Sequence, residues 1–231
     1  MYRDSFVTVI IPALNEAVTI GSVIRSLPDS IDLIIVGDNG STDGTREAAE
    51  REGARVFDEP ERGYGAACLR AIREVPASTD ILLFIDADMS DFPEEATKLL
   101  DPIIEDKADL VIGSRTTTAE SRIALTSAAV FGNWLSTGLI KLLWGARYTD
   151  LGPFRAIRFS SYRSLNMRDR DFGWTVEMQI KAAKKKLRGI EVPVSYRKRR
   201  SGESKVSGTI SGSLKAGVKI LYLIGREALL D

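Results

Sequence analysis

Two aspartates one residue apart, Asp86 and Asp88, close the apolar run Ile81 to Ile85. On an extended strand, residues i and i+2 project to the same side. Two carboxylates held together repel, and a divalent cation that takes oxygen ligands relieves the repulsion. Such a cation can bridge the phosphates of a nucleoside diphosphate and neutralise a departing group. Asp-x-Asp alone is a common strand ending, so its neighbours decide how much weight it carries. Two more polar segments follow apolar runs in the same way: Pro12-Ala13-Leu14-Asn15-Glu16 and Gly37-Asp38-Asn39-Gly40-Ser41-Thr42-Asp43-Gly44-Thr45. Asp38 offers an acceptor for a nucleobase N–H, and Asn15 and Glu16 offer polar groups for a base or ribose. The second segment is also dense in turn formers, where Ser41 or Thr42 would cap the next helix without any role in binding. Further on, Arg197-Lys198-Arg199-Arg200 with Lys205 supplies cations able to offset phosphate charge, although such runs also serve as solvated surface.

Composition narrows the chemistry. The 231 residues contain no histidine, so any metal must be held by oxygen ligands, which favours Mg²⁺ or Mn²⁺ over Zn²⁺. The single cysteine, Cys68, allows no intrachain disulfide and fits a reducing, cytoplasmic setting. Formal net charge is zero, which gives no sign of a general nucleic-acid binder. The charge is unevenly placed, however. Nine acids stand against two lysines from Asp86 to Asp109, and ten bases against two acids from Lys181 to Lys205.

The elements that must position these residues alternate. Strands are expected at Val7–Ile11, Leu33–Val36, Ala54–Phe57, Ile81–Ile85 and Leu110–Ile112. Helices are expected at Glu16–Leu27, Thr42–Glu52, Gly65–Glu74 and Pro93–Ile104. Continuous apolar strands alternating with helices imply an α/β fold with a mostly parallel sheet covered on both faces, which binds ligands at the carboxyl ends of its strands. Beyond residue 114 the alternation breaks down. One long helix is expected over Ile123–Leu143, then a strand at Phe154–Ile157, a helix at Thr175–Lys186, a strand at Ile190–Tyr196, a basic loop and a last helix over Ser211–Leu229. A single domain is expected over 1–231, with a nucleotide-binding half at 1–114 and an acceptor-facing half at 115–231. The uncharged stretch from Ile123 to Ile140 is long enough to span a membrane, but its Ser, Thr, Asn and Gly content argues against a span and points first to core packing, with a place on a membrane surface as the second reading.

Taken in order, Pro12-x-x-Asn15-Glu16, Asp38-Asn39-Gly40-Ser41-x-Asp43-Gly44-Thr45, Gly63-Tyr64-Gly65-Ala66-Ala67 and Asp86-Ala87-Asp88 resemble the family 2 glycosyltransferases of GT-A fold. Asp150-x-Gly152-Pro153-Phe154-Arg155, Phe172-Gly173-Trp174-x-x-Glu177 and Ser201-Gly202-Glu203-Ser204-Lys205 narrow the resemblance to polyprenyl- and dolichyl-phosphate sugar transferases. The resemblance implies a donor site of Pro12, Asn15, Glu16, Asp38, Gly65, Asp86, Ala87, Asp88 and Arg115, with the metal on Asp86 and Asp88. It places the acceptor phosphate on Arg155, Arg200, Ser201 and Lys205. Asp86, Asp88, Asp150 and Arg155 are the expected catalytic residues. Asn39 departs from the family's usual second acid, and Ser90 stands where some relatives carry a glutamine ligand.

The implied partners are a nucleotide-sugar donor and a lipid-phosphate acceptor, with peripheral membrane contact and a homo-oligomer both compatible. A phosphate acceptor is already ionised and needs no general base. An alcohol acceptor would need one, for which Asp150, Asp169, Asp171 and Glu177 are the candidates. Three alternatives compete. A soluble sugar or alcohol acceptor keeps the donor chemistry. A nucleotidyltransferase would want a Gly-rich, Arg-containing first loop, which Pro12 to Glu16 lacks. A non-catalytic scaffold would be expected to have lost the aspartate pair.

Overall fold

The computed structural model describes residues 1–199 and 210–229. Seven strands form one sheet: β1 (Val7–Ala13), β2 (Leu33–Asp38), β3 (Arg55–Asp58), β4 (Ile81–Phe84), β5 (Leu110–Ser114), β6 (Arg155–Arg158) and β7 (Gly189–Pro193). Their spatial order is β3-β2-β1-β4-β6-β5-β7. The β3-β2-β1-β4 half is parallel throughout, and β7 is parallel to β5. β6 runs antiparallel to both β4 and β5, an orientation the apolar run Phe154–Ile157 gave no means of reading.

Burial on both faces explains the unbroken apolar strands. All seven residues of β1 are buried, and alternate side chains enter different cores. Val7, Val9 and Ile11 join α1 (Ile20–Ser26), α2 (Thr45–Arg51) and α4 (Ala96–Ile104). Ile10, with Leu82 and Phe84 of β4, faces α3 (Tyr64–Ile72), α7 (Phe159–Leu165) and α8 (Trp174–Lys184). Trp174, Tyr162 and Phe84 pack their rings at about 6.2–6.3 Å between centroids.

The expected helix over Ile123–Leu143 is two helices, α5 (Ala119–Ala124) and α6 (Ser127–Trp144). Leu125 and Thr126 are extended, and the Thr126 hydroxyl accepts from the Ala129 N–H at 3.2 Å as a new N-cap. α9 (Ile210–Leu229) packs on α6 and α8. Phe131, Trp134 and Leu142 of α6 and Val218 and Tyr222 of α9 are 60–79% exposed, and Ile123, Leu125, Phe131 and Trp134 line a groove of about 500 Å³. Among the described residues no helix is long and apolar enough to cross a membrane.

Candidate active site

The loops after β1, β2 and β4 meet at the carboxyl edge of the sheet. The first two are cross-tied. Asn15, at φ 54°, donates its backbone N–H to Ser41 Oγ at 2.8 Å, and its side-chain carbonyl accepts from the Thr42 N–H at 2.8 Å. The Glu16 N–H donates to Thr45 Oγ1 at 2.8 Å. Asp38 Oδ1 accepts from the backbone and hydroxyl of Ser41 at 3.0 and 2.5 Å, which fixes its carboxylate at the rim of a cleft of about 520 Å³ shared with Gly40, Thr45, Asp58 and Glu59. Pro12 is buried beside Gly37.

Asn39 has a structural reason. Its amide donates to the carbonyls of Glu59 and Glu61 at 3.0 and 2.7 Å, and its own carbonyl oxygen accepts from the Gly63 N–H at 2.8 Å. An aspartate has no N–H to offer these two carbonyls, so the departure at 39 locks the loop that leads into α3.

That loop cannot move far. A Cβ at Gly63 or Gly65 would come within 2.0 or 2.1 Å of the carbonyls of Arg170 or Asp169, and Ala66 N–H donates to Arg170 O at 2.8 Å. Gly65, expected at the donor, is needed for this close approach. Glu177 holds the other side: it accepts from the backbone N–H of Arg168 and Asp169 and pairs with Lys181 at 2.8 Å. α3 thereby presents the Tyr64 hydroxyl to Asp86 Oδ1 at 3.0 Å.

The aspartate pair is strained electrostatically. Burial first, and the neighbouring Asp88 second, push the Asp86 carboxyl up to about 7. Asp88 Oδ1 accepts from the Ser90 N–H at 2.8 Å, and Oδ2 from Arg199 Nε at 2.8 Å. Asp91, 1% exposed, has no hydrogen-bond partner for either carboxylate oxygen among the described residues. Burial, then Asp86, raises its pKa well above the usual range. An excess of buried negative charge, an arginine drawn onto one aspartate and an orphaned carboxylate behind the pair all fit a divalent cation with oxygen ligands. Among the described residues no three acidic side chains converge on one point, so the protein would offer Asp86 and Asp88 and leave further positions to water and phosphate. The Ala87 side chain lies in the core, which leaves only its backbone for a donor.

Asp150 and Arg155 are placed otherwise than as free catalytic groups. Asp150, fully buried, accepts from the Arg115 backbone N–H, Nε and a terminal nitrogen, each at 2.8 Å, from Asn133 Nδ2 at 2.6 Å and from the Leu151 N–H at 2.7 Å. Burial raises its pKa, but Arg115 and these N–H groups outweigh that and lower it, which makes it a poor base. Arg155 opens the antiparallel strand β6, so it lies at the carboxyl edge opposite Phe84 and Ile112. Its guanidinium is sealed in, donating to the carbonyls of Leu151, Gly152 and Thr175, and burial pulls its pKa down to about 10. Arg200, Ser201 and Lys205 lie outside the described residues. Sequence reasoning named Arg199 only as part of a basic run, and did not single out Tyr64 or Asp91. The proximity of Asp91 to the aspartate pair in sequence was the one available signal.

The model of the family described as "Glycosyl transferase family 2" matches residues 8–165. An uncharacterized glycosyltransferase of Mycobacterium tuberculosis is 34% identical over 91% of this chain and 94% of its own. An undecaprenyl-phosphate mannosyltransferase of Micrococcus luteus is 30% identical over 92% of each. Among solved structures, glucosyl-3-phosphoglycerate synthase from M. tuberculosis, in complex with Mn²⁺, UDP and phosphoglyceric acid, superposes with a TM-score of 0.76 at 23% identity, covering 98% of this chain and 79% of that one. A sheet interrupted by one antiparallel strand, acidic loops gathered at its carboxyl edge and relatives matched nearly end to end lead to one assignment: the chain is a GT-A glycosyltransferase and belongs to glycosyl transferase family 2.

Proposed function

We propose that the protein is a divalent-cation-dependent, inverting hexosyltransferase that moves a sugar from a nucleotide-sugar of the UDP-glucose or GDP-mannose type to a polyprenyl phosphate. The donor's base and ribose take the cleft beside Asp38 and Glu16, and its diphosphate takes the Asp86/Asp88 edge. When bound, the cation, Mg²⁺ or Mn²⁺, supplies charge neutralisation for the departing diphosphate.

One observation carries the choice of acceptor. Three of the four carboxylates that might deprotonate an alcohol are already engaged: Asp150 by Arg115, Glu177 by Lys181, and Asp169 by two backbone N–H groups and Lys219 at 3.0 Å. A phosphate monoester needs no such base. Its ionised oxygen attacks the anomeric carbon in line, the bond from that carbon to the diphosphate oxygen breaks, and the diphosphate leaves with the electron pair. Arg115, backed by Asp150 and stacked 5.0 Å over the Tyr196 ring, is a fixed cation whose charge is felt at Asp86, and Arg155 keeps its loop in shape. The outward-facing aromatic and aliphatic side chains of α6 and α9 suit a lipid surface beside the site, and the similarity to the Micrococcus undecaprenyl-phosphate mannosyltransferase agrees. In this reading the protein is peripheral to the cytoplasmic face of a membrane.

The test has two arms. Calorimetry of UDP- and GDP-sugars with and without Mn²⁺ should find one donor whose binding needs metal. Asp88→Ala should weaken that binding on the order of 10²-fold. Transfer of labelled sugar should then follow polyprenyl phosphate in vesicles. Transfer only to phosphoglycerate or a free sugar would overturn the acceptor, and failure of every donor to bind would overturn the whole reading.

A further inference from the structure

Arg199 sits where the electrostatics calls for a cation. Its Nε donates to Asp88 Oδ2 at 2.8 Å, and a terminal nitrogen to Glu16 Oε1 at 3.2 Å. One side chain thus joins the metal end of the donor site to the base end. The arginine is 23% exposed and both carboxylates 8%, so the contact is mostly withdrawn from solvent. Burial pulls the guanidinium's pKa down, but Asp88 and Glu16 outweigh that and raise it, so it stays charged.

We propose that Arg199 and the divalent cation are alternative occupants of the Asp88 carboxylate, and that metal entry hands the displaced guanidinium over to the donor's diphosphate. The proposal rests on the metal reading above. A divalent ion on Asp88 Oδ2 would stand about 2.0–2.6 Å from that oxygen, so a guanidinium donating to the same atom would lie within a few ångström of two positive charges. At that range repulsion exceeds what one hydrogen bond returns. Asp88 Oδ1 gives no easy escape, because the Ser90 N–H already uses it. Once released, the planar fork matches phosphate oxygens two at a time, which a strongly hydrated ammonium does not. Release also breaks the Arg199 contact with Glu16 at the base pocket. Metal and nucleotide therefore help each other through Arg199, and the coupling is reciprocal.

The experiment compares the full-length wild type with Arg199→Gln, using Lys198→Gln as a control for loss of a nearby exposed charge. Mn²⁺ binding without nucleotide, followed by the EPR signal of free Mn²⁺, should tighten about threefold to tenfold in Arg199→Gln, because an exchange partner has been removed. UDP and GDP binding at saturating Mn²⁺ should move the opposite way, the tighter nucleotide weakening about threefold to tenfold. Lys198→Gln should stay within about twofold of wild type in both. A merely structural clasp predicts no tightening of Mn²⁺, and that result would overturn the exchange while leaving the metal site intact. Equal tightening in Lys198→Gln would reduce the effect to general charge and overturn it as well. Absence of Mn²⁺ binding in wild type, with or without nucleotide, would overturn both the exchange and the metal reading.

Discussion

At the scale of single residues, the loops at the carboxyl edge of the sheet depend on hydrogen bonds that tolerate few substitutions. Asn39→Asp would set a carboxylate against the carbonyls of Glu59 and Glu61, and denaturant unfolding should show a loss of about 2–3 kcal/mol. Asp86 gives a pH signature in the metal-free protein. Its folded pKa of about 7 exceeds the ordinary value of 3.8, so the folded state binds more protons than the unfolded state between those limits. Stability from this group is complete below about pH 4 and is lost as pH rises toward 7. A urea midpoint measured across that window should slope downward, and Asp86→Asn should flatten it. The sequence made Asp86, Asp88 and Asp38 legible because each ends an apolar run. It could not make Arg199 legible, because its partners lie 111 and 183 residues away, and no local pattern encodes such a pairing. Nor does a string of letters reveal that Asp150 is saturated, since that depends on Arg115 and Asn133 arriving from other elements.

Among the elements, two glycines separate close packing from intrinsic propensity. Alanine is a better helix former than glycine by about 1 kcal/mol. At Gly138, exposed on α6 with nothing within 4 Å of a built Cβ, that preference acts alone, and Gly138→Ala should raise stability by about 0.5–1 kcal/mol. At Gly65 the new Cβ would press on the Asp169 carbonyl at 2.1 Å, which cannot rotate away. The cost of about 1–3 kcal/mol wins, and Gly65→Ala should lower the melting temperature and disturb Tyr64 at Asp86. Most strands were readable because burial on both faces leaves unbroken aliphatic runs. Strand direction was not, since a run such as Ala156–Ile157 is equally apolar both ways. α7 escaped notice because Phe159-Ser-Ser-Tyr-Arg-Ser-Leu165 is short and serine-rich, and Phe159, Tyr162 and Leu165 are its only buried residues. The break at Thr126 did carry a sign, a threonine three residues before the amide it caps, but the apolar stretch around it masked the signal.

For the molecule as a whole, the outward apolar side chains of α6 and α9 predict partition onto lipid. Flotation with anionic vesicles should bring the protein up with them. Replacing Phe131 and Trp134 together by serine should cut that partition by an order of magnitude or more, since about 1.4 kcal/mol is tenfold and each ring removes more than 1 kcal/mol of burial. Recovery of the variant at the wild-type level would remove the lipid surface from the picture. The inserted strand β6 has a further bearing, on synthesis. β1 to β4 can pair as they leave the ribosome, but β5 has no seat beside β4, because β6 takes it. From Phe84 to Arg155 the nascent chain carries an open sheet edge, and at about 5–20 residues per second that interval lasts roughly 4–14 s. An unpaired edge held open that long is a template for other nascent chains. The protein's demand on co-translational chaperones is therefore concentrated between the emergence of β4 and that of β6, and rare codons placed in that interval should lower soluble yield more than the same codons placed after residue 158.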